Sequence, residues 1–91
     1  MKKYVIQRNI PNVHCMGPAE LQGAAATSND ALAKLSPRVK WLHSYVTPDK
    51  TFCIYEAEDE GAVREHAELS GFPANVISEV TTMIDPATAN A

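Results

Sequence analysis

This 91-residue chain is short of most of the residues that build a recognisable catalytic signature. Cysteine occurs twice, as Cys15 and Cys53, with no C-x-x-C spacing. That excludes a disulfide scaffold and leaves two free thiols as the expectation. Glycine occurs four times and never as a cluster, so no phosphate-cradling loop or dinucleotide fingerprint is present. The G-x-S-x-G elbow and the H-E-x-x-H metalloprotease motif are also missing. Eight Lys and Arg face eleven Asp and Glu, a net charge of −3, with no arginine-rich run. No strand carries the aromatic-plus-basic signature of an RNA-binding sheet, so nucleic acid is not an expected partner. No segment approaches the roughly 18 apolar residues of a membrane span, and no membrane partner is expected. Residues 4–9 turn polar too soon after Met1-Lys2-Lys3 for the apolar region of a secretory signal, which makes the cytoplasm the expected location.

What remains is the composition of an ordinary globular domain, with 45% hydrophobic and 21% charged residues. Residues 1–85 read as one domain, and residues 86–91, with Pro86 and small side chains, as a flexible tail. Residues 3–10 alternate as a strand, with Tyr4, Ile6 and Ile10 set against Gln7 and Asn9. Gly17, Pro18 and Glu20 mark a helix start. Leu21, Ala24, Ala25, Ser28, Leu32 and Leu35 then recur at helical spacing until Ser36-Pro37. Residues 39–47 are rich in β-branched and aromatic side chains, and the Pro48-Asp49 turn leads to a partner strand at 51–57. Asp59 is placed to cap a second helix with an inner face of Val63, His66, Ala67 and Ser70, which Gly71 and Pro73 terminate. Residues 75–84 form a last strand by composition.

The order strand–helix–strand–strand–helix–strand is that of a ferredoxin-like α+β fold: a four-stranded antiparallel sheet with two helices on one face. Two short helices cannot cover all the apolar strand residues, and the surplus points to a homodimer packed sheet to sheet. No motif assigns a reaction, so the sequence leaves open whether the chain is an enzyme.

Three groups of residues carry potential chemistry. His66 lies on the inward stripe of the second helix, either as a buried imidazole bonded to a backbone carbonyl or tyrosine, or as a metal ligand or pocket acid/base. His43 shares a strand face with Trp41 and Tyr45, and Cys53 shares one with Tyr55. Whether these two faces coincide depends on a hairpin register that the turn does not fix. In the loop His14-Cys15-Met16, an imidazole, a thiol and a thioether suit nickel, copper or zinc, but consecutive residues splay apart and seldom close a site alone.

The segments Trp41-Leu42-His43-Ser44-Tyr45-Val46, Cys53-Ile54-Tyr55, Arg64-Glu65-His66-Ala67 and Ser70-Gly71-Phe72-Pro73 resemble a family of small bacterial domains that includes a nickel-binding protein. The resemblance runs over about residues 3–85. It implies a ferredoxin-like domain that dimerises and binds a metal, nickel foremost, through His66, His43 and Cys53. The first strand departs from it in carrying no histidine. The alternative is a small-molecule-binding domain or enzyme of the dimeric α+β barrel type, with a pocket beside His66 lined by Tyr45, Tyr55 and Phe72.

Overall fold

A computed structural model describes residues 1–90. Strand β1 spans Lys2–Asn9, helix α1 Pro18–Leu35, β2 Val39–Val46, β3 Lys50–Ala57, α2 Glu60–Ser70 and β4 Val76–Glu79. Short 3-10 turns occupy Val13–Cys15 and Pro86–Asn90. The strands form one antiparallel sheet in the order β2-β3-β1-β4, with both helices packed on the same face. This is the ferredoxin-like α+β arrangement anticipated from the sequence.

Local signals account for the helix ends. Pro18 occupies the first turn of α1, where its missing N–H costs nothing. The Asp59 carboxylate accepts the Ala62 amide at 2.8 Å and caps α2. Gly71 ends α2 at φ 77°, a left-handed conformation that favours glycine, and its amide donates to the Ala67 carbonyl at 3.0 Å.

Alternation does the rest. β1 turns Tyr4, Ile6 and Arg8 towards the helices, and β3 turns Thr51, Cys53, Tyr55 and Ala57 the same way; all are buried. From α2, Val63 and His66 fill the layer between, both at 0% exposure. Fully burying a side chain the size of Ile6 or Val63 contributes about 1.5–3 kcal/mol.

Two features depart from the regular pattern. β4 is shorter than the expected 75–84. It pairs with β1 from Val76 opposite Gln7 to Glu79 opposite Tyr4, and the last bond runs from the Val80 amide to the Lys3 carbonyl. In this register Thr81 falls opposite Lys2, the first residue of β1, so residues 82–84 have no strand to pair with, whatever their β propensity, and residues 81–84 are exposed. Residues 86–90 wind into the exposed 3-10 turn, where the Asp85 carboxylate accepts the Thr88 amide.

The second departure is a bulge in β2. Trp41 pairs with Tyr55 and His43 with Ile54, so Leu42 is the extra residue. The indole N–H of Trp41 donates to the Ser44 hydroxyl at 3.0 Å and spans the bulge. Past Leu42 the side chains change sides: Ser44 and Val46 join Trp41 on the helix face, and His43 and Tyr45 turn to the opposite one.

That opposite face carries no helix. Val5, Phe52 and Ile54 lie partly covered at its centre, with His43, Tyr45 and Val76 exposed around them. Among the described residues, no helix is long and apolar enough to cross a membrane.

Candidate functional site

The helix-covered face does not close completely. Alanines 24 and 25 face the sheet from α1, and their short side chains leave space over Trp41 and Cys53. The result is a cleft of about 540 Å³, walled by α1, the loop after β1 and the inner faces of β2 and β3. That volume lies within the range of small-molecule sites. Its lining is mainly apolar, with Met16, Leu21 and Val46 near the mouth and Tyr55, Phe72 and Arg8 at one end.

Arg8 is the unusual member, only 2% exposed. One terminal nitrogen donates to the Pro73 carbonyl at 2.8 Å and the other to the Tyr55 hydroxyl at 3.3 Å. Its guanidinium carbon stands 6.0 Å from the Tyr55 ring centre and 5.7 Å from that of Phe72, within cation–π range. Four ion pairs occur among the described residues, and Arg8 belongs to none of them. A buried guanidinium with only neutral partners keeps most of its desolvation cost.

Behind this end of the cleft lies His66. Its Nε2 is 3.2 Å from the Ser28 hydroxyl, and its ring packs against Tyr55 at 5.0 Å between centres. Nδ1 is buried without a partner among the described residues. Burial, and then the positive charge of Arg8, hold the His66 pKa below its ordinary 6.5, so the imidazole is neutral at physiological pH. Burial also raises the Tyr55 pKa, against the opposing pull of Arg8, and the phenol keeps its proton.

The expected site residues divide between the two faces. Cys53 and His66 are both buried on the helix side, with the Cys53 thiol 3.6 Å from the Thr51 hydroxyl. His43 lies on the open face, because the Leu42 bulge reverses the side on which it emerges. A joint His43, Cys53 and His66 site within one chain is therefore not formed, and no group of three His, Cys, Asp or Glu side chains suited to a metal occurs among the described residues. Tyr55 and Phe72 line the cleft, whereas Tyr45 sits beside His43 on the open face at 60% exposure. His66 stands behind Ser28 and Tyr55 rather than on the cleft wall. Arg8 was not singled out in the sequence, although the alternation through Tyr4 and Ile6 places it on the inner face.

The loop after β1 holds a different pair. His14 Nδ1 lies 2.6 Å from the Pro48 carbonyl, and Nε2 lies 3.5 Å from the Cys15 sulfur. A carbonyl only accepts, so Nδ1 carries the proton, and in the neutral ring Nε2 keeps its lone pair on the side of the thiol. Nitrogen and sulfur bound to one metal at ordinary lengths lie about 3.1 Å apart at a right angle and about 3.5 Å apart in a tetrahedron. The N–H to carbonyl bond on the far side is the usual outer support of a metal-bound histidine. The pair fits a borderline metal in donor type and spacing, and supplies two ligands of the four or more required.

The sheet order, the two helices on one face and the cleft beneath the first define a ferredoxin-like α+β domain with an internal cleft. The profile of the family described as nickel responsive protein SCO4226-like matches residues 4–80. The chain belongs to that family. Among solved structures it is similar to the crystal structure of SCO4226 from Streptomyces coelicolor A3(2), with a TM-score of 0.76 and 16% identity. The similarity covers 90% of this chain and 99% of that one, and at such identity it speaks for the fold alone. No curated protein matches the chain.

Proposed function

We propose that this domain is a homodimeric nickel-binding protein that takes up the metal at His14 and Cys15. The observation that carries this reading is the 3.5 Å separation of Nε2 and Sγ, with the ring fixed from behind by the Pro48 carbonyl. The nickel-responsive description of the family supports the choice of metal. Imidazole and thiolate both suit nickel, although affinity alone does not favour it over copper. The remaining ligands come from water or from a second copy of the chain. The apolar open face around Val5, Phe52 and Ile54 favours pairing sheet to sheet, with His43 and Tyr45 in the contact.

Metal content by mass spectrometry, measured on untagged protein, together with calorimetric titration of nickel, tests this reading. His14→Ala and Cys15→Ser are each expected to abolish binding, and His43→Ala, Cys53→Ser and His66→Ala to preserve it. Loss of metal from the His66 or His43 variant alone would move the site to the residues that the family resemblance indicates. Protein whose melting temperature ignores nickel, zinc and copper would sink the metal reading.

A second reading, a small-molecule-binding domain, is favoured by the cleft beneath α1. The two readings use different surfaces and are compatible.

A further inference from the structure

A cleft with apolar walls and one buried cation has a definite preference in ligand charge. Arg8 lines this cleft at 2% exposure, and the four ion pairs among the described residues leave it without a carboxylate. Its two hydrogen bonds go to neutral acceptors, the Pro73 carbonyl and the Tyr55 hydroxyl. Each terminal nitrogen of a guanidinium bears two N–H groups, so each keeps one beyond those bonds. The neighbouring polar groups, the Tyr55 phenol and the Ser28 hydroxyl, are uncharged, and behind them His66 is held neutral. Nothing acidic appears among the residues that line the cleft.

We propose that the cleft binds a small amphipathic monocarboxylate, its carboxylate paired with Arg8 and its apolar body lying between α1 and the sheet. The inference rests on the second reading above and adds the class of ligand. A planar carboxylate matches the guanidinium fork, and one negative charge cancels the one buried positive charge. A phosphate monoester would carry nearly two charges to a single cation in an apolar surround, which leaves one uncompensated. An apolar body suits the rest of the wall, which is mainly apolar: Leu21, Ala24, Ala25 and Val46 offer no hydrogen bonds, the Trp41 N–H is already given to Ser44, and Asn9 and Thr51 add only neutral polar groups. Both Arg8 rotamer-fixing bonds are in place without a ligand, so the cation is held ready and little is spent on ordering it.

The chain contains one tryptophan, Trp41, and it lines the cleft, so its fluorescence reports occupancy directly. The probes are decanoate, its neutral isostere decanamide, and decyl phosphate, each titrated into the full chain. Decanoate is expected to shift Trp41 emission saturably and to bind at least about tenfold more tightly than decanamide, as a charge-assisted pair requires. Arg8→Gln is expected to bring the two affinities together, and Ala25→Phe, which fills the cleft, to abolish both. The comparison of decanoate with decanamide on the unaltered chain decides the matter even if Arg8→Gln fails to fold. Equal affinity for the two overturns the carboxylate proposal and leaves an apolar binding cleft standing. Tighter binding of decyl phosphate than of decanoate overturns the monocarboxylate assignment. No saturable change with any of the three overturns the proposal and the small-molecule reading together.

Discussion

Replacing His66 with glutamine tests whether a neutral imidazole is built into the core. The ring is 0% exposed, packs 5.0 Å from Tyr55 and lies near the Arg8 charge. Loss of solvent and, after it, that charge lower its pKa below 6.5, and the Ser28 hydrogen bond opposes them without reversing the shift. As pH falls through about 6.5, the unfolded chain takes up a proton at this histidine before the folded chain does. The stability associated with neutral His66 is thus complete above that pH and is lost on acidification towards the folded-state pKa. While only the unfolded state is protonated, the slope approaches one proton, about 1.4 kcal/mol per pH unit. Urea denaturation of the wild type and His66→Gln at half-unit steps from pH 8 to pH 5 isolates the effect as a difference of two curves. The stability difference should be constant from pH 8 to about pH 7 and then shift in favour of the variant as acid is added. A difference that stays flat down to pH 5 would refute the desolvated, neutral imidazole.

Other parts of the chain give simpler expectations. Asp59→Ala removes the cap on the Ala62 amide and should lower stability by about 1 kcal/mol in the same denaturation assay. Gly71→Ala places a side chain at φ 77° and should cost about 1 kcal/mol, whereas Gly23→Ala, in the exposed middle of α1 with open space around it, should stabilise by up to about 1 kcal/mol. Ile54→Asp puts a charge at the centre of the open face. Light scattering should then give a monomer with an unchanged circular dichroism spectrum, whereas the wild type should give the proposed dimer.

Most of the fold was legible because its signals are local. Pro18, Ser36-Pro37, Asp59 and Gly71 delimit the two helices within a residue or so of the expected bounds. The inner face of α2, Val63, His66, Ala67 and Ser70, is buried as its spacing implies. The misjudged features all depend on a partner. β4 ends opposite Tyr4, close to the start of β1 at Lys2, a limit that no property of residues 80–84 encodes. The side on which His43 emerges depends on one unpaired residue, Leu42, and the sequence marks that bulge with neither glycine nor proline. Arg8 illustrates a different difficulty. Its alternation with Tyr4 and Ile6 places it inside, but charge argues for the surface, and only the three-dimensional setting of Tyr55, Phe72 and Pro73 reveals how it is accommodated. The His14–Cys15 pair was visible as adjacent donor types. Its usable geometry comes from Pro48, a residue 34 positions away.

The bulge at Leu42 also bears on how copies of this chain can meet. β2 is one edge of the sheet, and an edge strand offers unpaired amides and carbonyls to any other strand that aligns with it. An extra residue in the middle of that edge disturbs the spacing of those groups and twists the strand, so a second chain cannot zip along its whole length. The other edge, β4, is only four residues long. With one edge irregular and the other brief, growth by strand addition into open-ended ribbons is disfavoured at both sides. The flat approach of one open face to another remains the route to self-association, and a face-to-face pair closes on itself.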